Sequence, residues 1–219
     1  MSRAILFDFN GVIVNDEPQH CEALIATLNG YGFRLDRDGY YLDYLGFDDR
    51  ACFRFAFARM GRPVDEATLL EAIERKAKRY QEAIRASLEL VPGAADFVRE
   101  AAAGGYRLAV VSGALRREIE LVLTESGLRP HFPVIVAAED VVRCKPDPEG
   151  YRRAREALGV DPGSCLVIED SLPGLEAARQ AGIRCLMLAT SHGPEQLAQA
   201  DQVWTDFRGR HPSELPWAA

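Results

Sequence analysis

Four places in this chain put polar groups at or near the ends of short apolar runs. Asp8 closes AILF and is followed by Asn10 and Gly11, Ser112 and Gly113 follow RLAVV, Glu169 and Asp170 follow CLVI, and Lys145 lies in the loop RCKPDP. Each has an ordinary structural explanation when taken singly. An acid at a strand end caps a helix, Ser-Gly makes turns, and a lysine before proline is a solvated loop charge. Together they offer two or three carboxylates, a hydroxyl and an ammonium, a set suited to a hard cation plus a phosphate.

Such residues meet only if the runs that carry them lie side by side. AILFDFN, YRLAVVSGA, PVIVAAED, SCLVIEDS, IRCLMLAT and a weaker DQVWTD are short and β-branched, with helical stretches between them. Near-continuous hydrophobicity, in place of alternation, predicts strands covered on both faces and hence a parallel α/β sheet. Ligands of open parallel sheets sit beyond the carboxyl ends of the strands, where these polar residues fall. Residues 18 to about 86 hold no convincing strand but three helical patterns, PQHCEALIATLNGYG, DDRACFRFAFARMG and DEATLLEAIERKAKRYQEAIRAS. The expected organisation is a Rossmann-like core of residues 1–15 and 87–219, with an inserted all-helical module at 16–86.

The 219 residues carry a net charge of -7 with a pI near 5.2, which opposes binding to nucleic acid or anionic membranes. Apolar runs fall well short of the roughly 20 residues a membrane helix needs, and no leader pattern opens the chain, so a cytoplasmic location is expected. Five cysteines without CxxC spacing read as reduced and mostly buried, Cys144 beside Lys145 being the loop exception. The C-terminal HPSELPWAA reads as an irregular tail.

In order along the chain, DFNGV, VVSGA, CKPDP and IEDSLPGLEAARQAGI resemble the four motifs of the haloacid dehalogenase superfamily, in its phosphatase and β-phosphoglucomutase-like branch with a helical cap. The resemblance covers nearly the whole chain, and NDEPQH resembles the linker into the cap. It implies that Asp8 is the nucleophile, forming an aspartyl phosphate. It implies a Mg²⁺ held by Asp8, the main-chain carbonyl of Asn10 and Asp170, with Glu169 as ligand or neighbouring acceptor. Ser112 and the main-chain N–H groups of the first loop and of Gly113 would bind the phosphate, Lys145 would neutralise it and keep Asp8 ionised, and Gly11 would let the backbone approach it.

The cap would set the substrate. Gly46 in YLGFDDRACF matches a cap-loop glycine of the sugar-phosphate mutases, but their arginine is replaced by Asp49, with Arg50 next to it. Lys76 and Lys78 resemble the cap lysine region or form a solvated basic stripe, and His20 either contacts the leaving group or is an ordinary first-turn helix residue.

Asn10 departs from the family pattern, which has an acid there that protonates the leaving oxygen and then deprotonates water. Its loss removes roughly 10² to 10⁴-fold of acid-base catalysis without removing the backbone carbonyl. Three explanations stand open: a substitution made to trap a complex, a natural change with His20, Asp16 or Glu17 moving the proton, or a noncatalytic binder of phosphorylated metabolites. Halide displacement fits poorly because the Glu169-Asp170 pair implies a cation, and phosphonate cleavage needs an early cap lysine that is missing before Lys76. The expected activity is Mg²⁺-dependent hydrolysis of a small phosphorylated metabolite, a sugar phosphate or phosphoglycolate-like compound, by a monomer. The alternatives are the noncatalytic binder and a phosphosugar mutase.

Overall fold

The computed structural model describes residues 3–45 and 47–217, and its chain divides into two compact units, residues 1–15 with 89–219 and residues 16–88. In the first unit all six apolar runs are strands: β1 Ala4–Phe7, β2 Arg107–Val111, β3 Val134–Val136, β4 Cys165–Glu169, β5 Arg184–Leu188 and β6 Gln202–Trp204. They form one sheet in the order β3-β2-β1-β4-β5-β6, and every pairing is parallel. The Rossmann-like α/β fold expected from the continuous apolar runs is therefore the fold observed. β1 and β4 are buried at every residue because both faces are covered.

One face is filled by α7 (Glu149–Leu158) and α8 (Leu172–Gln180), whose Tyr151, Ala154, Leu158, Leu175 and Ala178 pack on Leu6, Val111, Val167 and Met187. The other buries aromatic edges: Phe7 meets Phe97 and Phe132 at 6.3 and 5.7 Å, with Phe97 supplied by α5 (Ala94–Ala103). A further helix, α6 (Arg116–Glu125), follows β2. The register sets Phe7 level with Val110 and with Ile168, so the residues that follow β1, β2 and β4 emerge together at one edge.

The second unit is helical: α1 Glu17–Gly30, α2 Arg37–Asp43, α3 Asp49–Arg59 and α4 Glu66–Ala86. Asp36, Asp48 and Asp65 cap α2, α3 and α4 by accepting from the N–H groups of Gly39, Ala51 and Thr68 at 2.7–2.8 Å. α2 had no signal in the periodicity, since RDGYYLD is seven residues long and carries Gly39 inside it. α4 buries Leu69, Ala72, Ile73, Lys76, Ala77, Tyr80 and Ile84, one stripe at helical spacing. Lys76 is on that stripe and buried, whereas Lys78 is exposed, so the reading as a solvated basic stripe holds for the second lysine alone.

Four cysteines are buried, Cys144 is exposed, and all five are free thiols. Among the described residues no helix is long and apolar enough to cross a membrane.

Candidate active site

The edge where β1, β2 and β4 end collects Asp8, Ser112, Glu169 and Asp170, all at most 8% exposed. Asp8 is carried there by the sheet itself, its N–H donating to the Ile168 carbonyl at 2.9 Å, and Ser112 likewise by the Val136 carbonyl at 2.9 Å. Lys145 reaches the same point from a loop 137 residues along the chain and donates to Asp8 Oδ1 at 2.5 Å, to the Val111 carbonyl at 3.1 Å and to Glu169 Oε1. The ammonium thus joins three strand ends.

Glu169 is saturated. Its Oε1 accepts from Lys145 and from the Tyr151 hydroxyl at 2.8 Å, and its Oε2 accepts from the N–H groups of Asp170 and Ser171 at 3.0 Å and from Ser171 Oγ at 2.9 Å. A Cβ at residue 174 would overlap this carboxylate, which explains the glycine in SLPGL. Asp170 is held differently, by Ser191 Oγ on Oδ2, and Gly11 at φ +71° leaves the space that this Asp170 oxygen fills. Ser112 Oγ accepts from Ala114 N–H at 3.0 Å and lies 3.4 Å from Asn10 Oδ1. Gly113 is exposed, with nothing within 4 Å of a Cβ built on it, so sterics alone do not require glycine there.

Three buried carboxylates face one ammonium, and their proton affinities respond. Burial and then the neighbouring Glu169 charge push the Asp8 carboxyl from its ordinary 3.8 up to about 7, against the opposing pull of Lys145. Asp170 is raised well above 3.8 by burial and by Glu169 and Asp8. Burial also works against the ionised Glu169, but Lys145 and the hydrogen bonds outweigh it and hold its carboxyl below the ordinary 4.5. Burial lowers and the two carboxylates raise Lys145, with the net shift upward.

One oxygen from each of Asp8, Glu169 and Asp170 lies within 4.8 Å of the others, a hard-oxygen donor set whose excess negative charge fits a divalent cation. Because both Glu169 oxygens are engaged, Asp8 and Asp170 are the better-placed ligands.

The stability of the metal-free protein should report this strain. An Asp8 carboxyl raised to about 7 keeps, when folded, a proton that the unfolded chain releases near 3.8. Asp170 acts in the same sense, so with a chelator present stability should fall as pH rises from about 5 to about 8. A drop in thermal midpoint of at least about 2–4 °C, equivalent to about 1 kcal/mol at this size, is expected, with divalent cation flattening the slope. A midpoint that rises over this range in chelator would contradict the protonated cluster.

The remaining candidates lie in the helical unit. His20 Nδ1 is 2.6 Å from Lys76 Nζ and its Nε2 is 3.3 Å from Asp16 Oδ2, while its ring stacks on Tyr80 with centroids 4.3 Å apart. An ammonium only donates, so Nδ1 accepts and the proton sits on Nε2, facing Asp16. Lys76 also pairs with Asp49 at 2.8 Å, Tyr80 donates to Asp16, and Glu17 accepts from Tyr40. Arg50 pairs with Glu66 at 2.6 Å on the surface of that unit. Gly46 lies outside the described residues.

Sequence reasoning missed Tyr151, Thr190, Ser191 and His192. The last three follow the apolar run of β5, so the same rule that found Asp8 and Asp170 would have found them. Tyr151 sits among arginines in EGYRRAREAL and has no local signal.

A family model described as haloacid dehalogenase-like hydrolase matches residues 2–182. The validoxylamine A 7'-phosphate phosphatase of Streptomyces hygroscopicus subsp. limoneus is 32% identical over 99% of this chain and 97% of that protein. Hexitol phosphatase B of Escherichia coli K12 is 28% identical over 84% of this chain and 82% of its own length. Among solved structures, CbbY from Rhodobacter sphaeroides in complex with phosphate superposes with a TM-score of 0.84 at 30% identity, covering 94% of this chain and 95% of that one.

Proposed function

The chain belongs to the haloacid dehalogenase-like hydrolases, and from that premise we propose that it is a Mg²⁺-dependent phosphatase of small phosphorylated metabolites, working through Asp8. The observation that carries this reading is the buried Asp8–Lys145–Glu169 cluster with Asp170 and Ser112 beside it. Relatives named as phosphatases of validoxylamine A 7'-phosphate and of hexitols support a polyhydroxylated phosphomonoester as substrate.

Asp8 and Asp170 would hold the Mg²⁺ together with the main-chain carbonyl of Asn10. When bound, the ion supplies positive charge that offsets the repulsion between Asp8 and a phosphate dianion. Lys145, fixed by Glu169 and the Val111 carbonyl, orients Asp8 through Oδ1 and favours its ionised form, with the bound cation supplying the rest of the positive charge that this form needs. Ser112 donates to a nonbridging phosphate oxygen, as do main-chain N–H groups of the first loop and of Gly113. An Asp8 oxygen bonds to phosphorus while the ester P–O bond breaks, and the departing alcohol takes its proton from water, since the Asn10 amide is too weak an acid to supply one. Water then attacks the aspartyl phosphate, releasing inorganic phosphate and restoring the carboxylate.

Asn10 favours a second reading, binding without turnover. Asp49, paired with Lys76 where the mutases carry arginine, weighs against phosphosugar transfer. A panel of phosphomonoesters assayed for both binding and phosphate release, with and without Mg²⁺, tests the proposal. Mg²⁺-dependent release from at least one sugar or polyol phosphate is expected, and tight binding with no release from any would move the assignment to the second reading. Calorimetry should also show that Asp170→Ala weakens Mg²⁺ binding tenfold or more, on the order of 1.4 kcal/mol; an unchanged affinity would remove Asp170 from the metal site.

A further inference from the structure

Three consecutive side chains after β5 converge on the Asp170 segment and on the loop after β1. Ser191 Oγ donates to Asp170 Oδ2. Thr190 Oγ1 donates to the Gly11 carbonyl at 2.7 Å and lies 3.4 Å from the same Asp170 oxygen. His192 Nδ1 is 3.1 Å from the main-chain carbonyl of Asp170. The convergence follows from topology, because β5 is the parallel neighbour of β4 and its loop leaves the sheet at the edge where Asp170 sits.

A carboxylate turns broadly about its terminal torsion, so an aspartate at a strand end does not by itself present an oxygen in one direction. A hydroxyl bound to one oxygen fixes the plane and thereby aims the other. Thr190 adds a tie to Gly11, the residue whose missing Cβ makes room for Asp170. We propose that Thr190 and Ser191 form a hydroxyl clamp that sets the Asp170 carboxylate against Gly11 and so presents the donor set to a divalent cation.

The proposal rests on the reading of Asp170 as a cation ligand and makes both hydroxyls positioning residues. Thr190 and Ser191 are themselves exposed, so their bonds are not part of core packing and removing a hydroxyl should cost little stability. Groups that orient ligands in this way typically account for about 10–100-fold in metal affinity.

The test is calorimetric titration of MgCl₂ into the full chain and its Ser191→Ala, Thr190→Val and Ser191→Thr variants, with thermal midpoints measured in chelator. Ser191→Ala should weaken Mg²⁺ binding about 10–100-fold and Thr190→Val should weaken it in the same direction. Ser191→Thr, which keeps the hydroxyl, should bind like the parent, and all midpoints should stay within about 2 °C of it. Parent-like affinity in both hydroxyl-free variants overturns the clamp while leaving Asp170 a ligand. A fall in midpoint that tracks the affinity loss, or no rescue by threonine, also overturns it. A parent chain that takes up no Mg²⁺ overturns the cation reading and the clamp with it.

Discussion

Replacing Asp8 with asparagine is expected to remove turnover, by roughly 10⁴-fold or more, the scale on which enzymes lose rate when a covalent nucleophile is deleted. The substitution is nearly isosteric and takes one charge out of a crowded acidic cluster. Lys145 keeps Glu169 and the Val111 carbonyl as partners, so the fold should survive and the metal-free protein should not lose stability. Because Asn10 should limit the parent if the proposed mechanism holds, the comparison is best made in an Asn10→Asp background, where the range of measurable rates should be wider. Acid-quenched protein should carry a phosphoryl group when Asp8 is present and none in the Asp8→Asn variant. Turnover within tenfold of the background enzyme would place the nucleophile elsewhere.

Restoring the acid with Asn10→Asp should raise phosphomonoester turnover by roughly 10²-fold or more, the low end of what a positioned acid-base group contributes. Asp8, Lys145, Ser112 and Asp170 are assembled in the parent, so under the proposed mechanism proton transfer is the step that Asn10 would impair. The substitutes named from the sequence are each engaged within the helical unit: Asp16 by Tyr80 and His20, Glu17 by Tyr40, and His20 by Lys76. One chemical confounder has to be controlled. The nitrogen of Gly11 could attack the Asn10 amide, lose ammonia and generate aspartate, so a converted fraction could supply the activity of the parent. In the folded chain that nitrogen donates to the Val14 carbonyl at 2.8 Å, which opposes its use as a nucleophile. Conversion should therefore be slower in folded than in unfolded protein, and peptide mass analysis alongside the kinetics will measure it. Fast turnover in demonstrably unconverted parent, unchanged by Asn10→Asp, would mean that another group moves the proton; His20→Ala and Glu17→Gln would then identify it.

The sequence by itself determined the six strands, their parallel sense and the edge at which chemistry could occur. The reason is local: a strand covered on both faces must be apolar at successive positions, so the first polar residue marks its exit, as Asp8, Ser112 and Glu169 do. The long interruption after Asn15 similarly marked a helical insertion, and the stripe through Ala72, Lys76 and Tyr80 contained the information that Lys76 is buried. What the tertiary structure decided depends on partners distant in sequence. Strand order, the meeting of Lys145 with Asp8 across 137 residues, and the Tyr151 hydroxyl on Glu169 have no local period to announce them. The division of labour between two adjacent acids is the sharpest case. Glu169 and Asp170 are consecutive letters of one motif, yet five donors from Lys145, Tyr151 and the Asp170–Ser171 turn occupy the first, while the Ser191 hydroxyl donates to the second. Only three-dimensional hydrogen bonding, which assigns lone pairs to donors, distinguishes how two adjacent acids of one motif are held.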